Sequence, residues 1–406
     1  MNRVVITGMG IWSCIGTSLD EVRDALYQGR SGIILDQSRK DAGFRSGLVG
    51  NVPKADLKPF LSRSARSYTH EETQFAYMAT RQALDHAGID MDYLEHNEVG
   101  IIYGNDSAVD ASVSAVDKFR QVHDSVACGS GSLFQCLNST ISMNLACIFH
   151  LRGINQTVSS ACASGAMSIG MAAMMIRHGL QDCIVCGGAE EINMLGIVGF
   201  DGLQSFSIND ADPTKASRPF DKSRDGLVPS GGGATLILES YDHAVKRGAH
   251  IVAEVVGWGF SGNGDHISTP TLEGPMRSMT NCLNDGGVGI GDIGYINAHA
   301  TSTVIGDQRE AECIANIFGD NTVPVTSTKS LTGHEMWMAG ASEVIYSILM
   351  MKNDFIAPNL NFEEPDEVTA RINVVPETRQ THFDMFLSNS FGFGGTNSTL
   401  IIKNGA

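Results

Sequence analysis

The chain has 406 residues, 42% of them hydrophobic and 18% charged, a balance that supports a large buried core and excludes a disordered chain. Its net charge of −17 excludes a broad basic face for nucleic acid. Nine cysteines without regular spacing do not form the dense disulfide framework of a small secreted domain.

The start, Met1 to Gly8, lacks the long apolar segment of a signal peptide and reads as a first strand. The most apolar stretch, Ala161 to Ile176, is too short to span a bilayer, so a soluble, cytoplasmic protein with no membrane partner is expected. Short β-branched runs predict strands at Val4–Ile6, Val99–Tyr103, Thr157–Ser159, Cys183–Val185 and Gly233–Leu238. They recur at Ile251–Val256, Ile293–Ala298, Val323–Ser327, Phe386–Asn389 and Ser398–Ile402. Helices are predicted where caps are visible. Ser18-Leu19-Asp20-Glu21 reads as a capping box leading into a helix that closes near Gly29. Two others run from Glu71 to His86 before Gly88, and from Tyr241 to Lys246 before Gly248. The rhythm is α/β, and two strand-rich blocks suggest two similar halves, residues 1–250 and 251–406.

Cys162 lies in Ser159-Ser160-Ala161-Cys162-Ala163-Ser164-Gly165-Ala166, small residues opening an apolar helical stretch. A thiol at a helix start faces free N–H groups that favour the thiolate, and the small neighbours leave room for a substrate carbonyl. A buried cysteine acting as a small hydrophobe is the alternative. Cys183 and Cys186 have CxxC spacing but sit in a strand-like run where their side chains face opposite ways, so no metal is expected there. His299 follows an apolar strand in Asn297-Ala298-His299-Ala300-Thr301-Ser302-Thr303, and the hydroxyls of Thr301 and Thr303 can bond a polar ligand arm. Lys329 and His334 follow another strand. The run Ser388 to Asn397 carries three glycines that let backbone N–H groups approach a ligand. No Gly-Lys-Ser/Thr follows it, and Gly8-Met9-Gly10 lacks the third glycine of a dinucleotide fingerprint, so nucleotide binding is rejected.

Taken in order, these four motifs resemble those of the β-ketoacyl-acyl carrier protein synthases of types I and II, from Val4 to Ile402. The resemblance implies the thiolase fold, with two pseudo-symmetric βαβ-rich halves in five layers. It implies decarboxylative Claisen condensation of malonyl-acyl carrier protein with an acyl chain carried on Cys162. His299 and His334 would then stabilise the enolate, and Lys329, paired with Glu343, would tune them. The backbone N–H groups of Cys162 and Phe393 would form an oxyanion hole, the Phe393 ring would gate the thiol, and Thr301 and Thr303 would hold the phosphopantetheine arm. No cofactor or metal of the protein's own is implied, because the arm arrives on the carrier protein.

The implied partners are an acyl carrier protein and a second subunit, in a homodimer or in a heterodimer with a chain-length factor. Candidate docking cations are Arg63 with Arg66 and Lys118 with Arg120, each pair otherwise solvated surface. The chain departs from the family pattern at Ala300 and Val304, and at Glu335-Met336-Trp337-Met338 where small residues are usual. Met336 and Trp337 either fill core or shape a channel for a conjugated, aryl polyene-like chain; a saturated fatty acyl chain is the other substrate reading. A non-catalytic partner subunit is the reading from a different class, and the intact Cys162, His299, His334 and Lys329 speak against it.

Overall fold

The apolar runs become an 11-stranded mixed sheet in the computed structural model, which describes residues 1–405. From its middle outward, one half is built from Val4–Trp12, Gly232–Ser240, Cys183–Glu190, Gly100–Gly104 and Asn155–Val158. The other runs Ala253–Gly262, Thr396–Asn404, Met385–Gly392, Tyr295–Asn297, Pro324–Thr326 and Asn373–Val374. Among the described residues, strand pairing joins the two halves of the sheet at only two residue pairs, Val5 with Glu254 and Ile6 with Ala253. Each half repeats one pattern outward from the join, two antiparallel pairings followed by parallel ones. This is the pseudo-symmetry expected of the thiolase fold.

Two helices, Ser164–Arg177 and Ala339–Lys352, pack on each other and on both half-sheets, forming the middle layer. Helix Glu71–Ala87 covers the outer face of the first half-sheet and helix Glu273–Gly286 that of the second, giving five layers. In Ala339–Lys352 every residue except Lys352 is buried, whereas Ser164–Arg177 keeps one methionine-rich side, with Met167, Met171 and Met174, only partly covered. Among the described residues no helix is long and apolar enough to cross a membrane.

The capped helices form at Leu19–Gln28, Glu71–Ala87 and Tyr241–Lys246. The first differs in one detail: Ser18 caps the helix as expected, but the Glu21 carboxylate accepts from the Thr17 N–H, one residue before the cap. Strand Ala253–Gly262 starts later and runs longer than expected. Its glycines admit a helix, since a Cβ on Gly259 would lie 2.1 Å from the Ser278 carbonyl oxygen. Cys183 packs into the outer core and Cys186 into the central one, so the CxxC pair does face opposite ways.

The middle helices cross where Gly165 meets Gly340. A Cβ on Gly340 would lie 2.5 Å from the Ala166 backbone nitrogen, which cannot move without shifting the start of the Cys162 helix. Gly340→Ala should therefore destabilise the fold by about 1–3 kcal/mol. Calorimetry checks this; an unchanged melting temperature would show that the crossing relaxes freely.

Candidate active site

Cys162 occupies a 3-10 turn, Ala161–Ala163, immediately before helix Ser164–Arg177. The Ser164 hydroxyl fastens this turn, accepting from the Ser160 N–H at 2.9 Å and donating to the Ala161 carbonyl at 2.6 Å. Ala161 takes a positive φ of 48°, the left-handed region in which any residue with a Cβ is strained. On the opposite wall, strand Met385–Gly392 delivers Phe393, whose backbone N–H lies near enough to the Cys162 sulfur to lower the pKa of the thiol.

The two histidines arrive from neighbouring parallel strands. His299 lies just past Tyr295–Asn297, and the Glu310 carboxylate accepts from its N–H at 2.9 Å, from Ala300 N–H at 2.7 Å and from Asn389 Nδ2 at 2.9 Å. His334 lies past Pro324–Thr326 and the short helix Lys329–Thr332, held by its own N–H donating to the Val228 carbonyl at 2.7 Å. Gly333 makes that turn at φ 71°, and a Cβ there would sit 2.6 Å from the Val228 oxygen. A bond from the Ser327 hydroxyl to the Ala300 carbonyl, 2.7 Å, ties the two segments together.

Cys162, His299 and His334 line one cavity of about 410 Å³, together with Thr301, Thr303 and Phe393. The imidazole centroids are 5.2 Å apart with the rings nearly perpendicular, 86°. Nδ1 of His299 and both ring nitrogens of His334 are buried without a protein partner, so they are available to a bound molecule. Thr301 and Thr303 touch through their hydroxyls at 3.0 Å. Lys329 is not on the cavity wall; it is buried beneath the histidines, and its ammonium donates to the Glu343 carboxylate.

The electrostatics follow from burial. Desolvation, then the Lys329 ammonium, lower the pKa of both histidines well below the ordinary imidazole value, so both are neutral at pH 7 and each carries one N–H. Burial pushes Cys162 up to about 12, while Lys329 and the Phe393 N–H pull it only part of the way back. The expectation of a resting thiolate is therefore corrected: the sulfur precedes the helix in a desolvated turn, and it rests as the thiol.

Residues without a recognisable local motif complete the site. Glu310 positions His299 from 11 residues downstream on helix Val304–Phe318. Phe200 stacks on Phe393 at 6.0 Å and on Phe206 at 6.2 Å, and Trp337 lies 6.3 Å from it. Met336 and Trp337 share an apolar cluster with Cys162 but do not line the cavity. Glu335 is buried, bonded by Ser342 and Tyr346 and pushed by burial up to about 8, so it is a neutral structural acid. Arg63 is exposed and Arg66 half-buried, and neither lines the cavity, whereas Arg309 does. Lys118 and Arg120 are exposed on helix Val109–Val122.

Family models for the beta-ketoacyl synthase N-terminal and C-terminal domains match residues 1–244 and 252–363. The chain belongs to the β-ketoacyl synthase family. It is 40% identical over 406 residues to 3-oxoacyl-[acyl-carrier-protein] synthase 1 of Escherichia coli (strain K12), covering 99% of each chain. A β-ketoacyl synthase from Burkholderia phymatum STM815 superposes with a TM-score of 0.95 at 34% identity, and the ishigamide ketosynthase/chain length factor with 0.92 at 30%. Both cover 100% of each chain. The chain is accordingly an acyltransferase-class enzyme performing ketosynthase condensation in fatty acid or polyketide elongation.

The approach of Phe393 to the thiol depends on Gly392, where a Cβ would lie 3.0 Å from the Ser160 oxygen and 3.2 Å from the Cys162 nitrogen. Gly392→Ala should displace that N–H and slow acyl transfer by about 100-fold, the scale of losing one oxyanion donor. Single-turnover acylation measures it; a wild-type rate would remove Phe393 from the mechanism.

Proposed function

We propose that the enzyme carries out decarboxylative Claisen condensation of malonyl-acyl carrier protein, giving a β-ketoacyl product on the carrier. The supporting observation is that Cys162 shares one desolvated cavity with two neutral imidazoles whose nitrogens have no protein partner. In the first half-reaction the Cys162 sulfur attacks the acyl thioester, its proton passes to the departing phosphopantetheine thiol, and the oxyanion is met by the N–H groups of Cys162 and Phe393. Malonyl thioester then enters, with Thr301 and Thr303 bonding the arm. His299 and His334 donate N–H bonds to its carbonyl oxygen, where negative charge gathers as carbon dioxide leaves. The carbanion attacks the Cys162 thioester carbonyl, the carbon–sulfur bond breaks, and the departing Cys162 thiolate takes a proton from solvent to regenerate the thiol. Burial, reinforced by the Lys329 ammonium, keeps both imidazoles neutral, each with one N–H to donate.

The partner in this reading is an acyl carrier protein docking through Arg63 and Arg66. A second subunit, either another copy or a chain-length factor, is supported by the ishigamide neighbour. The acyl chain favoured is a planar conjugated one. Phe393 and Phe200 line the cavity and stack on each other at an interplanar angle of 19°, and buried Phe206, stacked on Phe200 at 13°, and Trp337 stand behind them. Aromatic walls pack more fully against a rigid planar π-system than against a flexible saturated chain.

Radiolabelled polyenoyl and saturated acyl carrier proteins of equal length test both levels. A stable adduct on the wild type, absent in Cys162→Ala, is expected, forming several-fold faster from the polyenoyl carrier. No adduct from either carrier would overturn the condensation reading; preference for the saturated carrier would overturn only the chain reading.

A further inference from the structure

A second polar centre lies off the acyl cavity. His70 is the N-cap of helix Glu71–Ala87, Glu72 stands in its first turn, Glu191 follows strand Cys183–Glu190, and Asp110 opens helix Val109–Val122. His70 Nδ1 is 3.0 Å from Glu72 Oε2 and 3.7 Å from Glu191 Oε2, while Nε2 is 2.9 Å from Asp110 Oδ2. One donor atom from each of His70, Glu72 and Glu191 lies within 4.8 Å of the other two.

Charge in this centre does not balance. Three carboxylates surround one imidazole, and among the described residues no lysine or arginine pairs with any of them. Glu72, fully buried, leaves Oε1 without a partner, and so does the adjoining Glu190 at Oε2. An unpaired carboxylate oxygen out of water is costly.

We propose that His70, Glu72 and Glu191 bind one divalent first-row metal ion. Asp110 then accepts from Nε2–H and fixes the tautomer that turns the Nδ1 lone pair toward the two glutamates, the carboxylate–histidine arrangement usual behind metal ligands. The unpartnered Oε1 lets Glu72 bind through both oxygens. One nitrogen and two carboxylates suit Mn²⁺, Fe²⁺ or Zn²⁺. The ion ties the first turn of helix Glu71–Ala87 to the end of strand Cys183–Glu190. None of its ligands lines the acyl cavity, so its role is structural.

The probe is Mn²⁺, a hard ion that avoids the nine free cysteines. Chelator-treated full-length protein is titrated with Mn²⁺, and free ion is read by electron paramagnetic resonance. One site per chain is expected, weakened at least tenfold in Glu72→Gln and Glu191→Gln and about 10–100-fold in Asp110→Asn. The exposed Asp117→Asn should bind like the wild type. Mn²⁺ should also raise the melting temperature of the wild type and not of Glu72→Gln. If Glu72→Gln fails to fold by circular dichroism, Asp110→Asn and His70→Ala decide. No binding, or equal binding by all variants, would overturn the site and leave a metal-free imidazolium clamp.

Discussion

The buried ion pair between Lys329 and Glu343 is the constraint on which the catalytic chemistry rests. Both side chains are almost fully withdrawn from water, so the ammonium is screened by little except its partner. Burial already disfavours protonation of the two imidazoles, and a cation fixed beneath them makes a second and third positive charge there still less favourable. Neutral histidines follow, each with a single N–H to give. Glu343 comes from helix Ala339–Lys352, the fold's middle layer, and Lys329 from the turn after a strand of the second half. The pair therefore fastens the electrostatics of the site to the deepest packing in the molecule.

The same layer explains how groups from distant parts of the sequence meet. Cys162 opens one middle helix and the segment from Lys329 to His334 leads into the other, and their glycines let these two starts cross closely. Strand ends of the second half supply His299 and Phe393 to the same mouth. A thiol, two imidazoles and an oxyanion donor thus converge although Cys162 and Phe393 belong to different halves.

Much of this was legible in the chain. Strand runs were visible because β-branched residues cluster there, and three helices because Ser18, Gly29, Gly88 and Gly248 mark their ends. Helix Val109–Val122 carried no such signal, because Ala108 cannot cap it and it ends at His123; helices Glu273–Gly286 and Val304–Phe318 end at Gly287 and Gly319, but Leu272 and Thr303 make no side-chain bond that marks their starts. The four motifs named the groups that line or underlie the cavity, but Glu310 and Phe200 act across long separations and leave no local pattern. The ionisation of Cys162 was misread from its place at a helix start. The turn loses its water only when the folded elements close around it, which leaves Cys162 5% exposed. Trp337 was legible as a departure, whereas its place behind Phe200 rather than on the cavity wall was not.

The central claim is that a fixed buried ammonium and desolvation hold both active-site imidazoles neutral. Nuclear magnetic resonance titration of protein labelled at its histidine rings, with His299→Asn and His334→Asn for assignment, tests it most directly. The account predicts that both rings keep the neutral signature at every pH down to acid unfolding. An inflection of either at or above the ordinary imidazole pKa of about 6.5 would contradict it.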